Sequence, residues 1–351
     1  MDRDLKNRTH HELSELAAAY GQKPFAADYL FSFIHQKDAE QISAVSPLSK
    51  QFRQKLADEG FFIGSIGLLE QQEDPDGTVK FVFGMADGVR IESVRLKDGR
   101  RNTLCISTQA GCRMGCRFCA TGQLPYRRNL TAGEIADQVY KAEALVGRID
   151  NVVYMGMGEP LDNYDNVMRS VEILNDKCGR NIGIRHITIS TCGLPEAIQK
   201  LAKEKLRPRL AVSLHAASDA VRSKLMRIGQ QYPLSALLAS LTTYQSITGS
   251  RITVEYCMIA GVNDQPEQAA MLIKLLRPLK VNVNLIELNA FPGCRFEASP
   301  SGKIQAFADM LADAGIETVI RFKRGRKIKA ACGQLGADWL QKQSGPTLQG
   351  T

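Results

Sequence analysis

Short apolar strands alternate with helical segments after residue 100, and this alternation constrains the fold more than any other feature. The six strand patterns begin at Leu104, Asn151, His186, Leu210, Ile252 and Val281. Helical patterns lie at 163–177, 195–206, 219–244, 265–277 and 302–314. Strands joined by helices form a parallel sheet through right-handed crossovers. The chain is therefore predicted to be an α/β protein whose core is a partial (β/α)6 barrel, since a closed barrel needs about eight units.

Two further regions precede this core. Residues 11–60 carry apolar residues at helical spacing, which predicts a small helical domain. From Thr78 onward, apolar and polar residues alternate on either side of Asp87-Gly88, a pair typical of a hairpin turn. The expected organisation is an N-terminal helical accessory domain at 1–75, a β-hairpin extension at 76–97, the barrel core at 98–326, and a C-terminal segment at 327–351 that ends in a frayed tail from residue 344.

Three cysteines in one short run give the strongest indication of chemistry. Cys112, Cys116 and Cys119 follow the spacing C-x3-C-x2-C. Three thiolates at this spacing can hold a 4Fe–4S cluster and leave one iron open to a small-molecule ligand. Structural zinc usually takes four protein ligands, and neither a second cysteine pair nor a nearby histidine completes such a site. Nine cysteines in 351 residues are too few for a disulfide scaffold.

Composition restricts the cellular setting and the partners. The hydrophobic fraction of 44% and the charged fraction of 23% are those of an ordinary globular protein. The polar N-terminus lacks a signal segment and no apolar run is long enough to span a membrane, so a cytoplasmic protein is expected. The net charge of +8 is compatible with a nucleic-acid partner, and the run from Arg321 to Lys329 holds six cations without an acid. That run is either a phosphate-contacting strip or a solvated loop.

Glycine-rich and polar motifs follow the ends of the predicted strands, which is where ligands bind in parallel sheets. The run Met155-Gly-Met-Gly-Glu-Pro160 allows the backbone to approach a ligand closely, and Glu159 supplies an acceptor for an ammonium group. Ser190 and Ser213 can bond a ribose or a carboxylate, or they can cap the following helix. Asn289 can bond an adenine, or it can form a turn.

Seven motifs occur in order along the chain, and together they resemble the RlmN/Cfr group of radical S-adenosylmethionine (SAM) RNA methyltransferases. They are Gln109-Ala-Gly-Cys-Arg-Met-Gly-Cys-Arg-Phe-Cys-Ala-Thr-Gly122, Arg128-Asn-Leu-Thr131, Met155-Gly-Met-Gly-Glu-Pro-Leu161, Ser213-Leu-His215, Gly261-Val-Asn-Asp264, Asn289-Ala-Phe-Pro-Gly293 and Ala330-Ala-Cys-Gly-Gln-Leu335. The resemblance spans essentially the whole chain. The cysteine triplet alone is typical of the superfamily, whereas the run around Cys332 is far more specific.

The resemblance implies methylation of an adenine ring carbon, C2 or C8, in ribosomal RNA, transfer RNA or both. Such a carbon is electron-poor and cannot attack the methyl group of SAM directly. The resemblance therefore implies two SAM molecules per turnover: one methylates Cys332, and the other is cleaved at the cluster to a radical that activates this methyl group. It further implies that Glu92 accepts the ring proton, and that Cys105 releases the product by a transient disulfide with Cys332.

The same resemblance implies the cofactor ligands and partners. The triplet would bind one 4Fe–4S cluster with one iron open to SAM, and SAM would contact Gly158, Glu159, Ser190, Ser213, Leu214, His215 and Asn289. RNA and an electron donor such as flavodoxin or ferredoxin are the expected partners, without a membrane partner, and the chain is expected to be a monomer. Packing or surface positions are expected for the remaining cysteines, Cys178, Cys192, Cys257 and Cys294.

Lys327 and Lys329 depart from the family pattern, which carries Asp-Ile-Asp at these positions. Two cations beside Cys332 are expected to lower the pKa of its thiol and to attract phosphate. Two alternatives to RNA methylation stay open. One is a radical SAM enzyme that acts on a non-RNA substrate and does not need Cys332. The other is a non-catalytic RNA-binding module with a zinc or redox-sensing cysteine site.

Overall fold

The computed structural model describes residues 2–321 and 324–343, so the predicted tail from residue 344 lies outside the described residues. The strands are β1 (Gly67–Glu73), β2 (Val79–Gly84), β3 (Arg90–Asp98), β4 (Arg101–Cys105), β5 (Gln109–Ala110), β6 (Arg128–Asn129), β7 (Asn151–Tyr154), β8 (Ile187–Thr191), β9 (Arg209–Ser213), β10 (Ile252–Met258), β11 (Val281–Glu287) and β12 (Thr318–Arg321). The helices are α1 (His10–Ala19), α2 (Phe25–His35), α3 (Lys50–Asp58), α4 (Ala132–Val146), α5 (Tyr164–Asn175), α6 (Pro195–Ala202), α7 (Asp219–Leu225), α8 (Ile228–Gln231), α9 (Leu234–Thr248), α10 (Pro266–Leu276), α11 (Ser301–Asp313) and α12 (Ala337–Gln343).

The N-terminal helices dock on the barrel through a buried ion pair. The Thr9 hydroxyl accepts a hydrogen bond from the backbone N–H of Glu12, and the Glu12 carboxylate accepts one from the backbone of Thr9, so a capping box starts α1. Just before this helix, the Lys6 Nζ lies 2.8 Å from the Asp137 carboxylate of α4, and both side chains are buried. The helical domain is therefore fixed to the barrel by charge as well as by apolar packing.

The helical region ends earlier than residue 75, the predicted boundary. Its last helix stops at Asp58, and β1 pairs antiparallel with β2. Most side chains of β1 are exposed, so no alternating apolar pattern marks this strand in the sequence. The hairpin around Asp87-Gly88 is present: β2 and β3 pair with Gly84 opposite Arg90. Because β3 also pairs with β4, the antiparallel strands continue directly into the barrel sheet.

Seven parallel strands form the barrel. They lie in the order β4-β7-β8-β9-β10-β11-β12, so each strand pairs with its neighbour in the chain apart from the small β5–β6 hairpin. Strands β1 and β12 are the free edges of the ten-stranded sheet, which makes the barrel open. The α/β class and the open barrel are confirmed. The seventh parallel strand, β12, adds to the six predicted, because its four half-buried or exposed residues form no apolar run.

The helix predicted over 219–244 is divided into three, α7, α8 and α9. The backbone of Met226 is extended, which ends α7. Pro233 precedes α9, at a position where no hydrogen bond within the helix needs its missing N–H. This interruption brings Met226 to the carboxyl ends of the strands, where it lines a cavity. A capping box at Thr131 begins α4.

Candidate active site at the carboxyl ends of the parallel strands

A cavity of about 980 Å³ opens at the carboxyl ends of the parallel strands. Its walls come from the loop between β5 and β6, from the ends of β7 to β12, and from the segment after β12. The residues that the sequence predicts to act there and that line it are Cys112, Cys116, Cys119, Gly158, Glu159, Ser190, Ser213, His215, Asn289 and Cys332. Strand ends of parallel sheets therefore bring together residues that are far apart in sequence.

The three cysteines of the β5–β6 loop lie on tight turns. The N–H of Cys119 donates to the carbonyl of Cys116, and the N–H of Gly122 donates to the carbonyl of Cys119. A Cβ at Gly122 would lie 2.7 Å from the Cys116 carbonyl oxygen, so a side chain does not fit there. Burial raises the pKa of all three thiols, that of Cys112 to about 12. They are therefore protonated unless a metal holds them as thiolates.

The donor set of the cysteine loop fits a cluster. Cys112, Cys116 and Cys119 offer three thiols to the wall of one cavity. Structural zinc usually takes four protein ligands, whereas three thiolates can hold a 4Fe–4S group and leave one iron open. The loop therefore fits a 4Fe–4S group held by three thiolates.

The turn after β7 brings backbone to the cavity wall. Gly158 has a φ of 100°, and a Cβ there would lie 2.5 Å from the Cβ of Gln109. The Gln109 amide oxygen accepts a hydrogen bond from the N–H of Glu159 at 2.9 Å. Glycine is therefore required at this position both by the backbone conformation and by its neighbour.

Glu159 is buried and its carboxylate is already hydrogen-bonded. One oxygen accepts from the N–H of Leu161 at 3.0 Å and the other from the N–H of Cys192 at 2.8 Å. Burial raises the pKa of this carboxyl, while the two backbone donors oppose that rise. The side chains of Thr191 and Cys192 also lower the pKa of this carboxyl. Glu159 thus caps the following turn and can also receive an ammonium group.

His215 is a neutral hydrogen-bond donor toward the cavity. Its Nδ1 accepts from the N–H of Cys257 at 2.9 Å, which leaves the ring proton on Nε2. Burial lowers the pKa of His215 to about 3, so the ring is uncharged at neutral pH. Ser190 and Ser213 lie beside it along the cavity wall. The side chain of Leu214, by contrast, is buried in the apolar core and does not line the cavity.

Residues 332–336 are fastened to the cysteine loop. Asn289 Nδ2 donates to the carbonyl of Cys332 at 3.1 Å. The N–H of Ala120 donates to the Gly333 carbonyl at 2.7 Å, and the Thr121 hydroxyl donates to the carbonyl of Leu335 at 2.8 Å. The bonds from Ala120 and Thr121 span more than 200 residues of sequence, and all three bonds place Cys332 beside the cysteine triplet.

Cys332 lines two cavities. The second, of about 1590 Å³, is also lined by Cys105, Arg321 and Arg324. All nine cysteines are free, and Cys332 exposes its side chain into the cavities. Surrounding protein still raises the pKa of its thiol, an effect that Arg321 opposes. Burial also raises the pKa of the Cys105 thiol. The structure therefore brings Cys105 and Cys332 to a common space.

Glu92 is placed differently from the other predicted catalytic residues. The residue is 1% exposed, and it lines neither of the two cavities at Cys332. One carboxylate oxygen accepts from the N–H of Gly336 at 2.9 Å, and the other lies 3.7 Å from the Nζ of Lys80. Burial raises the pKa of this carboxyl. Glu92 therefore binds the backbone of the segment that carries Cys332, at Gly336.

The expectation that Lys327 and Lys329 lower the pKa of the Cys332 thiol is wrong. Lys329 donates to the carboxylate of Asp338 at 2.7 Å, and the backbone N–H of Lys327 donates to Asp74. The cation that lowers the Cys332 pKa is Arg321, and burial outweighs it. The ammonium group of Lys329 is thus bonded to Asp338 and not to the thiol.

Three residues at the cavity were missed by sequence reasoning. Glu255 of β10 is 3% exposed, one of its oxygens accepts from Asn284, and the other has no hydrogen-bond partner. Its charge inside an apolar strand was a usable signal. Arg321 ends β12 and lies 3.4 Å from Glu255. Cys257 is buried, and its N–H donates to His215. Nothing in its sequence surroundings marks Cys257 as a residue of the cavity.

Known proteins match this chain along nearly its whole length. Residues 106–273 match the family model of the radical SAM superfamily, and residues 3–61 match the ribosomal RNA large subunit methyltransferase N-terminal domain. The chain is 45% identical over 342 residues to the probable dual-specificity RNA methyltransferase RlmN of Moorella thermoacetica, covering 95% of this chain and 96% of that one. It is 40% identical over 338 residues to the dual-specificity RNA methyltransferase RlmN of Syntrophobacter fumaroxidans, covering 95% and 98%.

A solved structure agrees with the same comparison. The crystal structure of a radical SAM methyltransferase from Sphaerobacter thermophilus superposes with a TM-score of 0.89 at 40% sequence identity, over 96% of this chain and 100% of that one. The fold and the cysteine-lined cavity thus define a radical SAM protein. Within that superfamily, the chain belongs to the RlmN family. Among the described residues, no helix has both the length and the apolar character needed to cross a membrane.

Proposed function

We propose that this protein methylates an adenine ring carbon in RNA and carries the transferred methyl group on Cys332. One observation carries the proposal: a single cavity is lined by the cysteine triplet and by Cys332, and a second cavity joins Cys332 to Cys105. A radical SAM enzyme needs the triplet whatever its substrate. It does not need the free thiol of Cys332, whose backbone carbonyl accepts a hydrogen bond from Asn289 and whose side chain lines both cavities.

Membership of the RlmN family implies a 4Fe–4S cluster and SAM. Cys112, Cys116 and Cys119 would hold the cluster, which when bound supplies the electron that splits SAM. Glu159 would accept a hydrogen bond from the SAM ammonium group, and the Nε2–H of His215 would donate to an acceptor on the same molecule. The carboxylate oxygen of Glu255 without a partner offers a further acceptor in this space.

Cys332 would take a methyl group as a thiolate, since a thiolate is the nucleophilic form. Burial raises the pKa of this thiol, so the thiolate forms most readily when a positive charge is near. Arg321 supplies one such charge, and the sulfonium of bound SAM would supply another. Cys105 is the thiol that would later attack the Cys332 sulfur: the S–S bond forms as the bond from that sulfur to the transferred carbon breaks, and this carbon keeps the electron pair and takes up a proton. Its high pKa keeps it protonated until that step.

Glu92 remains our proposed proton acceptor. The rise in its pKa caused by burial suits a carboxylate that must take a proton. Its hydrogen bond to Gly336 joins it to the segment of Cys332, but it does not line the cavities. Acceptance of a ring proton by Glu92 would therefore require residues 332–336 to move when RNA binds.

Exposed cations near Arg324 and after β3 would contact RNA phosphates. Arg324 lines the second cavity and lies 3.3 Å from Asp98, which ends β3 just before the exposed Arg100 and Arg101. Arg326 and Lys327 are exposed as well. Phosphate contacts of this kind make binding weaken steeply as salt concentration rises. An electron donor such as flavodoxin or ferredoxin would complete the reaction, and we propose that the enzyme acts as a cytoplasmic monomer.

Nucleoside mass spectrometry of ribosomal and transfer RNA tests this proposal. Both RNAs are incubated anaerobically with cluster-loaded protein, SAM and a reductant. Wild-type protein should produce a methyladenosine modified on a ring carbon, and the chromatographic standard identifies C2 or C8. Cys332→Ala should produce none. Cys294→Ala is the matched control, because Cys294 lines neither cavity, and it should keep the activity.

Three outcomes would contradict the proposal. Full RNA methylation by Cys332→Ala would remove the methyl-cysteine route. Cleavage of SAM without methylation of either RNA would favour the radical SAM enzyme that acts on a non-RNA substrate. Stoichiometric zinc in the native cysteine loop would favour the non-catalytic module, and iron and sulfide analysis distinguishes this case.

A further inference from the structure

Arg222 is a buried cation without a carboxylate partner. This residue of α7 is 0% exposed. Its Nη2 donates to the carbonyl of Cys192 at 2.6 Å, and its Nη1 donates to the carbonyl of Tyr232 at 3.4 Å. Its Nε has no hydrogen-bond partner. Within the described ranges, no carboxylate oxygen lies within the 4.0 Å that defines an ion pair with this guanidinium. Two neutral carbonyls do not balance a full positive charge that has been removed from water.

The helix that carries Arg222 is bonded to the cysteine loop. The N–H of Arg117 in that loop donates to the carbonyl of Leu225, which ends α7, at 3.0 Å. Cys192, whose carbonyl Arg222 bonds, lines the same cavity as Cys116. Burial lowers the pKa of Arg222, and the sulfurs of Cys192 and Cys116, followed by the carboxylate of Asp219, oppose that fall. Because Asp219 forms no ion pair with Arg222 among the described residues, a group held by the cysteine thiolates would supply the negative charge that Arg222 lacks.

We propose that Arg222 is the counter-charge of the thiolate-bound cluster and raises its reduction potential. The inference rests on the proposed function, because it requires the cluster. Reduction adds one negative charge to a group that already carries three thiolates. A fixed positive charge in a medium of low dielectric favours that added charge, whereas an exposed charge is screened by water. Arg222 would act on the cluster by its charge, across the cysteine loop. It does not touch the substrate.

Arg227, between α7 and α8, provides a matched control that packs against the same loop. It is exposed, and its side chain packs against Gly115, where a Cβ would lie 2.9 Å from its Cδ. Arg222 and Arg227 thus present the same guanidinium to the cysteine loop, one buried and one in water. If a buried charge raises the reduction potential and an exposed charge does not, replacing Arg222 should change the potential and replacing Arg227 should not.

The test is a redox titration of the cluster in reconstituted protein, followed by electron paramagnetic resonance. Arg222→Gln and Arg222→Met should lower the equilibrium constant for one-electron reduction by at least about tenfold, which is about 59 mV. Arg222→Lys keeps the charge and should stay close to wild type. Arg227→Gln should also stay close to wild type. Equal potentials in wild type, Arg222→Gln and Arg222→Met would overturn the inference.

Thermal unfolding with and without the cluster covers the case in which a variant holds iron poorly. Wild-type protein should gain stability when the cluster is loaded, and Arg222→Met should gain clearly less while its cluster-free form unfolds near the wild-type temperature. A variant that loses equal stability with and without the cluster would assign Arg222 a purely structural role and overturn the inference. Failure of wild-type protein to bind iron and sulfide would instead count against the proposed function.

Discussion

Replacing Gly158 by alanine should deform the turn that presents Glu159 to the cavity. Gly158 has a φ of 100°, which residues with side chains rarely adopt. The added Cβ would lie 2.5 Å from the Cβ of Gln109 and 2.8 Å from its backbone nitrogen. Gln109 cannot easily move aside, since it is fully buried and its amide bonds the Glu159 N–H, Asn129 and Asp162.

Two costs add at this position. An unfavourable φ typically costs about 1–3 kcal/mol. Overlap with a buried neighbour adds about 1–3 kcal/mol. Gly261 allows the cost of the backbone conformation to be measured without the cost of overlap. It has a φ of 68°, and a Cβ added there would have no atom within 4 Å. Gly261→Ala therefore carries only the first cost, and Gly158→Ala should be less stable than it by about 1–3 kcal/mol.

Urea unfolding measures this difference, and equilibrium dialysis of cluster-loaded protein measures the affinity for SAM. Gly158→Ala should bind SAM at least about tenfold more weakly than wild type, since about 1.4 kcal/mol corresponds to a factor of ten. Gly261→Ala should bind like wild type. If the two variants lost equal stability and bound SAM equally well, close packing at Gly158 would not shape the site.

Two further predictions concern stability. Lys6→Met leaves the buried Asp137 carboxylate without its cation and should destabilise the protein by about 3–5 kcal/mol, whereas Lys200→Met at an exposed pair should change it by less than about 1 kcal/mol in chemical denaturation. Burial lowers the pKa of His35 and of His215 to about 3 from 6.5, so the unfolded chain binds protons that the folded chain does not. Stability should fall below pH 6.5 by up to about 1.4 kcal/mol per unit for each histidine, and His35→Gln should remove up to about that much of the slope between pH 6.5 and 5; an unchanged slope would contradict this cause.

Local patterns in the sequence predict most of the barrel. The strands that begin near Leu104, Asn151 and Ile252 are found because buried strands of a parallel sheet read as apolar runs. β1 and β12 escape prediction because they are the edges of the sheet, where exposed side chains remove the pattern. Buried strands are therefore easier to predict from the sequence than exposed edge strands.

The candidate site is predictable where a motif follows a strand, and less so where distant segments meet. Gly158 and His215 follow strand ends, which places them at the cavity without further information. The docking of Cys332 depends on hydrogen bonds to Thr121 and Asn289 that no local pattern contains. The family resemblance supplies Glu92 as a proton acceptor, but only the packing of residues 332–336 places it beneath that segment.

The sequence also does not show which groups a charged side chain contacts. The cations at Lys327 and Lys329 look available to the Cys332 thiol, yet Lys329 is bonded to Asp338. Arg321 lies in the same basic run, and it is the cation that acts on the Cys332 pKa. A basic run thus indicates local charge, whereas the folded chain decides which cation acts on which group.

Peptide mass spectrometry of the cluster-loaded protein, after incubation with SAM labelled in its methyl group, tests the central claim most directly. The claim is that the cysteine triplet and Cys332 share one cavity so that a methyl group can pass through this thiol. We predict one labelled methyl group on the peptide that contains Cys332 and none on the peptide that contains Cys294. Protein that methylates RNA while Cys332 stays unlabelled at every stage of the reaction would contradict the account.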